Sequence, residues 1–449
     1  MKKFFIVLSG VLILGSICFA KENSNNIQQY KGFEFNNDFQ SGYDVNGQWA
    51  GGTETMSLVS HQGKLFAGMG YWNDTDPGKD PVPGAQVLIK DSYNSKWKVD
   101  VAFGAQYQRV EAMKSVTFYT DYRGVKLREP ISLLVASPNE IGKKWGGNKF
   151  VVYIRNDKTG KWIYKEVTDK ATAARSFGSY TDSKSGISFI FAGTTNGMIF
   201  RGAYDPDSPD LIKWDKVPEH RGTGRVMGFA KSGAFYAACG LRNKAENSGG
   251  LFKRIDGDQP QWVQIYRWDY TEKVTKNGDE TKIMRGLTPF TEDNGVNILI
   301  GTRAFPGVIE VIENDKVRTE LEIKKYFAEV FGVKKYLGPA LSAYNSIEFF
   351  NDPISGKTTG LIGAWIRNPL KKYSGAYFLV RFSGGSYQYG YVPNLSDNGK
   401  ELRAIRTICN SPFPEEKDTV LYFGGFDGFG GPHHDTGWIY KAKIKNKRM

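Results

Sequence analysis

Short apolar runs, separated by glycine-rich or polar turns, recur along almost the whole chain. The middle of the chain shows them most clearly, in stretches such as "SFIFAG", "GMIFRG", "AFYAACG" and "GLFKRI". Runs of about four to eight residues that are rich in β-branched and aromatic side chains predict strands, because helices need longer periodic segments. The pattern therefore predicts an all-β fold.

The apolar runs also repeat in a fixed order. The elements "RSFGSY", "SFIFAG", "GMIFRG" and "IKWDKV" are followed by "RVMGFA", "AFYAACG", "GLFKRI" and "QWVQIY". In this order the third strand often ends in a basic residue, and a turn then leads to tryptophan in the fourth strand. The markers in the first four units are Trp97, Trp162, Trp214 and Trp262. The whole chain divides into seven such units of roughly 50–65 residues each.

Four-stranded units at this spacing predict a seven-bladed β-propeller with four-stranded blades. The last unit ends after "WIYKAKI" and lacks a fourth strand, while "YKGFEF" (Tyr30 to Phe35) precedes the first unit without a partner. We therefore expect this N-terminal strand to complete the last blade and close the ring. The segment "RTELEIKKYFAEVFG" has apolar residues at helical spacing and predicts one helix.

The N-terminus has the layout of a secretory signal peptide: "MKK", then an apolar run, then "CFA" before the polar "KENSNN". We expect cleavage after Ala20, an N-terminal segment over residues 21–49 and a propeller over residues 50–445. Ile17 precedes Cys18 where a lipid-attachment site needs a small residue, so a lipid anchor is not expected. No later stretch approaches about 18 apolar residues, the length of a transmembrane segment. The sequence thus predicts a periplasmic or secreted protein.

Charge and cysteine content narrow the picture further. The formal net charge is +13, which suits contact with anionic glycans or lipid headgroups but also fits a solvated basic surface. No nucleic-acid-binding module is recognisable, so nucleic acid is not an expected partner. The seven-blade register separates Cys239 from Cys409, so we expect two buried free thiols rather than a disulfide.

The layout of strands resembles that of sialidase-like and other secreted bacterial β-propellers over nearly the whole mature chain. In such propellers the innermost strands line a central channel, and ligands meet one of its mouths. The resemblance implies that the residues opening the innermost strands gather at that mouth, namely Glu54, Glu111, Arg175, Arg225, Arg285 and Arg403. Loops between second and third strands would add Arg242, Arg303, His433 and His434.

Clustered arginines support two hypotheses. A guanidinium group donates parallel hydrogen bonds to carboxylates, sulfates or phosphates and keeps its charge, which suits an anionic ligand. Alternatively, each arginine pairs with an acidic residue of a neighbouring blade and holds the ring together. Replacing Arg225 and Arg285 by alanine separates the hypotheses, because only the second predicts a large loss of thermal stability.

Three classes of function remain open from the sequence. The first is a non-catalytic binding module for an anionic glycan or carboxylate at the channel mouth. The second is a glycoside hydrolase or polysaccharide lyase acting on acidic sugars, in which His433 or His434 would transfer a proton. The third is a scaffold for a protein partner in the cell envelope. The sialidase turn Ser-x-Asp-x-Gly-x-Thr-Trp is absent, and no motif predicts a metal or cofactor.

Overall fold

The computed structural model describes residues 27–71, 84–140, 149–222, 224–240, 249–268, 284–303, 307–338, 340–342, 347–370, 375–395, 402–426 and 435–445. Within these ranges the protein is built of β-strands, with one α-helix and one 3-10 turn (Pro414–Glu416). The predicted all-β fold is therefore confirmed. The predicted signal peptide, residues 1–20, lies outside the described residues. No helix within the described ranges has the length and apolar character needed to cross a membrane.

Three strands precede the repeating part of the structure: β1 (Phe33–Gln40), β2 (Gly42–Tyr43) and β3 (Trp49–Ala50). Strands β2 and β3 form a small hairpin, whereas β1 pairs with the last strand of the chain. The strand predicted at Tyr30 begins later, at Phe33, because the Tyr30 N–H instead bonds to the carbonyl oxygen of Tyr389 at 2.7 Å.

The remaining strands form successive antiparallel groups in which each strand pairs with the next. Group 1 contains β4 (Glu54–His61), β5 (Lys64–Gly70), β6 (Gln86–Lys90) and β7 (Lys98–Ala102). Group 2 contains β8 (Tyr107–Thr120), β9 (Lys126–Glu140), β10 (Phe150–Asn156) and β11 (Lys161–Thr168). Group 3 contains β12 (Ala174–Thr181), β13 (Ser188–Thr194), β14 (Met198–Tyr204) and β15 (Ile212–Trp214), with β16 (His220–Arg221) also on β14.

The second half of the chain continues the same pattern. Group 4 contains β17 (Val226–Ser232), β18 (Ala234–Cys239), β19 (Gly250–Ile255) and β20 (Gln261–Arg267). Group 5 contains β21 (Met284–Thr291), β22 (Asn297–Arg303), β23 (Val308–Glu313) and β24 (Lys316–Glu322). The helix α1 (Ile323–Val330) follows it.

The last two groups depart slightly from the pattern. In group 6 two short strands, β25 (Leu341–Ser342) and β26 (Glu348–Asp352), both pair with β27 (Lys357–Trp365), which is followed by β28 (Ala376–Arg381) and β29 (Tyr387–Val392). Group 7 contains β30 (Ala404–Asn410), β31 (Val420–Phe426) and β32 (Trp438–Ile444). Strand β1 pairs antiparallel with β32, from Phe33 opposite Ile444 to Gln40 opposite Trp438.

The predicted helix is present but shorter than its sequence pattern. Leu321 belongs to β24, and the helix begins at Ile323. Tyr326 and Phe327 face the protein interior and pack between groups 5 and 6. The helical spacing thus identified the buried positions Tyr326 and Phe327. The first residues of the predicted segment belong to the preceding strand instead.

Apolar side chains join each group to the next. The cluster between groups 1 and 2, for example, includes Phe66 and Leu134, both fully buried. A corresponding cluster packs group 7 against group 1 and includes Phe39 of β1, Leu65 and Tyr422. Cys239 and Cys409 are buried free thiols in separate clusters, as the sequence predicted. Burial of apolar surface between the groups is therefore distributed along the described chain rather than gathered in one centre.

A charged contact recurs at these interfaces. In group 2, Arg155 of the third strand donates two hydrogen bonds to Asp100 of the last strand of group 1, at 2.9 and 3.1 Å. The indole N–H of Trp162 donates to the same carboxylate at 2.7 Å. A basic residue and an aromatic donor of one group therefore share the carboxylate of an acidic residue from the preceding group. We call this arrangement the interface clamp.

The interface clamp is repeated elsewhere in the described structure. It is formed in group 4 by Arg254, Trp262 and Glu219, and in group 6 by Arg381, Tyr387 and Glu320. In group 1 the acidic member is Asp38 of β1, which accepts hydrogen bonds from Lys90 at 3.3 Å and Trp97 at 2.7 Å. Asp38 thus occupies the place that Asp100 and Glu320 occupy on the last strands of groups 1 and 5.

The clamp around Asp38 gives a stability prediction. The side chains of Lys90 and Asp38 are only 4% and 13% exposed, so Asp38→Ala leaves an enclosed ammonium group without its carboxylate. We expect the free energy of unfolding to fall by about 3 kcal/mol, measured by urea denaturation.

The matched control is Lys149→Ala, which removes an exposed pair whose side chains are 47% and 36% exposed. That change is expected to cost less than about 1 kcal/mol. Equal losses in the two variants would contradict a structural role for the Asp38 clamp.

Candidate functional site

The first strands of the groups lie next to one another around a cavity. Strand β4 contacts β8 and β30, β8 contacts β12, and β17 contacts both β12 and β21. These strands border a cavity of about 370 Å³. Its hydroxyl-bearing residues come from groups 1, 2, 3, 5 and 7, namely Ser57, Ser60, Ser115, Ser176, Thr288 and Thr407. Apolar side chains such as Met113 and Phe177 also line it, so the cavity has a mixed lining that comes from several parts of the chain.

A β-bulge interrupts the first strand at a similar place in most groups. The pairing shifts register near the start of β4, β8, β12, β17, β21 and β30. In β8, β12 and β30 the extra residue is charged and buried: Glu111, Arg175 and Arg406, respectively. A bulge turns its side chain away from the regular alternation of the strand. The bulges thus allow these charged side chains to meet residues of neighbouring groups.

These side chains form a chain of ion pairs, which we call the carboxylate–guanidinium belt. Glu54 accepts hydrogen bonds from Arg109 at 2.8 Å and from Arg406 at 3.2 Å. Glu111 accepts from Arg109 at 2.5 and 3.0 Å and also pairs with Arg175. All five residues are at most 4% exposed. The belt links groups 7, 1, 2 and 3 near one end of their first strands.

The belt contains three of the residues that the sequence placed at the channel mouth. Glu54, Glu111 and Arg175 make the contacts between neighbouring groups that the second arginine hypothesis expects. Their burial leaves them little surface for a ligand.

The other predicted site residues are more scattered. Arg225 and Arg403 are half-buried just before β17 and β30, and Arg285 is buried in β21. Arg303 ends β22 and pairs with Glu310 of the same group at 2.7 Å. Arg242, His433 and His434 lie outside the described residues. A ligand role for these residues stays a prediction.

Sequence reasoning missed Arg109 and Arg406 because it considered only the residue that opens each innermost strand. Arg406 occupies a bulge, which cannot be located from strand alternation alone. A weak signal existed for Arg109, since "RVE" places Arg109 and Glu111 two residues apart, which is the spacing of one strand face.

Lys114 of β8 is the cation that lines the cavity. Burial alone lowers its pKa, because removal from water disfavours the charged form of an amine. Among the residues that the structure describes, none forms an ion pair with its ammonium group. An ammonium group has three donors to satisfy. Water or a ligand in the cavity can supply the acceptors, and an anionic ligand would also neutralise the charge.

Glu348 is a half-buried residue at the start of β26. The Asn410 side chain donates hydrogen bonds to the Glu348 carboxyl group and to the carbonyl oxygen of Phe349, the latter at 2.8 Å. Burial raises the pKa of Glu348 to about 7, against the opposing effect of Asn410. This carboxyl group is thus poised to gain or lose a proton near neutral pH.

Comparisons with known proteins give only distant similarities. No protein-family model and no curated protein sequence matches the chain. The structure is similar to Chaetomium thermophilum Sqt1 bound to the N-terminus of ribosomal protein L10, with a TM-score of 0.43 and 11% identity over 84% of this chain and 83% of that chain. It is also similar to a Penicillium chrysogenum α-L-arabinanase complexed with arabinobiose, with a TM-score of 0.43 and 11% identity over 92% of this chain and 98% of that chain.

A third similarity is to a putative exo-β-1,3-galactanase from Bifidobacterium bifidum s17. Its TM-score is 0.33 at 12% identity, over 63% of this chain and 96% of that chain. Similarity at this level identifies neither a family nor a ligand for the protein.

The half-buried Glu348 predicts a specific pH dependence of stability. The folded protein favours the neutral carboxyl group, whereas the unfolded chain releases the proton near pH 4.5. Stability is therefore lost as the pH rises from that value to about 7. We expect wild type to lose about 2–3 kcal/mol more than Glu348→Gln between about pH 5 and pH 8.

Urea denaturation at both pH values measures this difference. Glu34→Gln is the control, because Glu34 is exposed on β1 and its removal should leave the pH dependence unchanged. The interpretation fails if Glu348→Gln and Glu34→Gln show the same pH dependence as wild type.

Proposed function

We propose that the chain is an exported seven-bladed β-propeller that binds a small anionic ligand in its central channel. Groups 1 to 7 are its blades, and β1 is the fourth strand of the last blade. Two observations support ring closure by β1. Asp38 takes the acidic position in the clamp of group 1, and Phe39 belongs to the apolar cluster between groups 7 and 1.

The proposed ligand chemistry rests on the position of Lys114. Lys114 is half-buried and lines the cavity, and no described residue forms an ion pair with its ammonium group. A charge that has lost part of its hydration is costly unless it is paired and hydrogen-bonded. A carboxylate, sulfate or phosphate in the cavity supplies both the opposite charge and the acceptors.

The size and lining of the cavity favour a small polar acid. Its volume of about 370 Å³ lies at the lower end of the range of ligand pockets, about 300–1,000 Å³. Ser176 and Thr407 are among its lining residues, and their hydroxyl groups suit the hydroxyl groups of an acidic sugar.

The test uses the mature protein and D-galacturonate as a probe, with D-galactose as its neutral counterpart. We expect galacturonate to raise the melting temperature of wild type, because a ligand that binds only the folded state stabilises it. Galactose should bind at least tenfold more weakly in isothermal titration calorimetry. Lys114→Met should reduce galacturonate binding by at least tenfold.

Lys149→Met is the matched control, since Lys149 is an exposed lysine on the surface and its loss should not change binding. Acetate, sulfate and phosphate extend the panel of anions. The proposal is wrong if no anion in the panel binds wild type, or if Lys114→Met binds the anions as tightly as wild type does.

A glycan hydrolase or lyase is the second candidate, and Glu348 favours it. A carboxyl group with a pKa of about 7 is in the state that a general acid needs at neutral pH. Hydrolysis requires two carboxyl groups about 5–10 Å apart, and neither Glu348 nor any other Asp or Glu is among the described residues that line the cavity. Release of reducing sugar by wild type and not by Glu348→Gln would establish this activity.

A further inference from the structure

Three residues of groups 1 and 2 form a continuous hydrogen-bonded chain beside the cavity. The Ser115 hydroxyl group lies 2.8 Å from Nδ1 of His61. Nε2 of the same ring lies 2.8 Å from Oδ2 of Asp157. Ser115 lines the cavity, while the His61 side chain is only 1% exposed. A serine, a histidine and an aspartate therefore meet in the order needed to activate a hydroxyl group.

The direction of the hydrogen bonds in this chain follows from the charge of Asp157. Asp157 is ion-paired with Arg155 at 2.8 Å, and an ionised carboxylate only accepts hydrogen bonds. Nε2 of His61 must then carry the hydrogen. In the neutral ring Nδ1 is the acceptor, so the Ser115 hydroxyl group donates to it. This is the direction in which a histidine accepts the proton of a nucleophile.

The surrounding structure holds the three residues in place. Arg155 fixes Asp157 and is itself part of the interface clamp with Asp100 and Trp162. The His61 ring packs beside Phe66, with ring centroids 6.1 Å apart. Orientation by rigid neighbours is what a catalytic arrangement requires, because small displacements lower the rate strongly.

We propose that Ser115 is a nucleophile for acyl transfer, with His61 as its general base and Asp157 as a positioning residue. Ser115 Oγ attacks the carbonyl carbon of an ester as its proton passes to Nδ1 of His61. The tetrahedral intermediate expels the alcohol, which takes the proton from His61, and an acyl-serine remains. Water then gives a proton to His61 as its oxygen attacks the acyl carbon. The bond between that carbon and Ser115 Oγ breaks, and Oγ takes the proton back from His61. The products are a carboxylic acid and the free Ser115 hydroxyl group.

This activity is separate from anion binding by Lys114, although both use the same cavity. A neutral reagent tests the nucleophile without needing the ammonium group. We use an ethyl fluorophosphonate probe, in which Ser115 Oγ bonds to phosphorus, fluoride leaves and His61 takes the proton. A result with this probe is therefore independent of any binding of galacturonate.

The mature protein is incubated with the probe, digested and examined by peptide mass spectrometry. We expect one phosphonyl adduct on Ser115 and at least a hundredfold slower labelling of Ser60. Ser60 is the matched control, because it is half-buried and lines the same cavity, while its hydroxyl group donates to the carbonyl oxygen of Asn410 rather than to a base. The proposal is overturned if folded wild type carries no adduct on Ser115, or labels Ser60 equally.

Variants separate catalysis from a structural role. Ser115→Ala should abolish labelling, and His61→Gln should slow it at least a hundredfold. Asp157→Asn should slow labelling while melting curves show a folded protein, because an amide can donate to Nε2 and favour the wrong tautomer. If His61→Gln fails to fold, the Asp157→Asn variant provides the test. Labelling of Ser115 in that variant at the wild-type rate contradicts the proposal.

Discussion

A carboxylate shared between a basic residue and an aromatic donor is the contact on which the arrangement of the strand groups depends. Arg155 and Trp162 reach Asp100 across the boundary between two groups, and Arg381 and Tyr387 reach Glu320 in the same way. Enclosed ion pairs gain little net stability after desolvation, but a broken pair is expensive. The clamps therefore act mainly by penalising any other register of neighbouring groups, while the apolar clusters supply the favourable free energy of packing.

The repeating order of strands could be predicted because the same physical need recurs in each group. A tryptophan recurs in the fourth strand, at Trp97, Trp162 and Trp262, because each indole N–H donates to an acidic residue from the preceding part of the fold. The basic end of the third strand has the same cause. The acidic partners could not be paired with them from sequence, because Asp38 is distant from Lys90 along the chain and only the fold brings them together.

The candidate site could be predicted only in part. Glu54, Glu111 and Arg175 lie near one end of the first strands of their groups, but bulges bring Arg406 into the belt and change which side chains meet. Lys114 and Ser115 were missed because a strand pattern does not reveal which residues border a cavity. His61 ends β4 beside a hairpin turn, and its burial between Ser115 and Asp157 comes from contacts with group 2 that the local sequence does not reveal.

Strand β1 pairs with β32 of the last group and carries Asp38, the carboxylate that joins this group to the first. Hydrogen exchange of backbone amides tests this placement, because exchange reports the free energy of opening each strand. We expect the amides of β1 to be protected as strongly as those of β32, and both strands to open together. Exchange of β1 at the rate of an unstructured peptide, with β32 still protected, would contradict this placement.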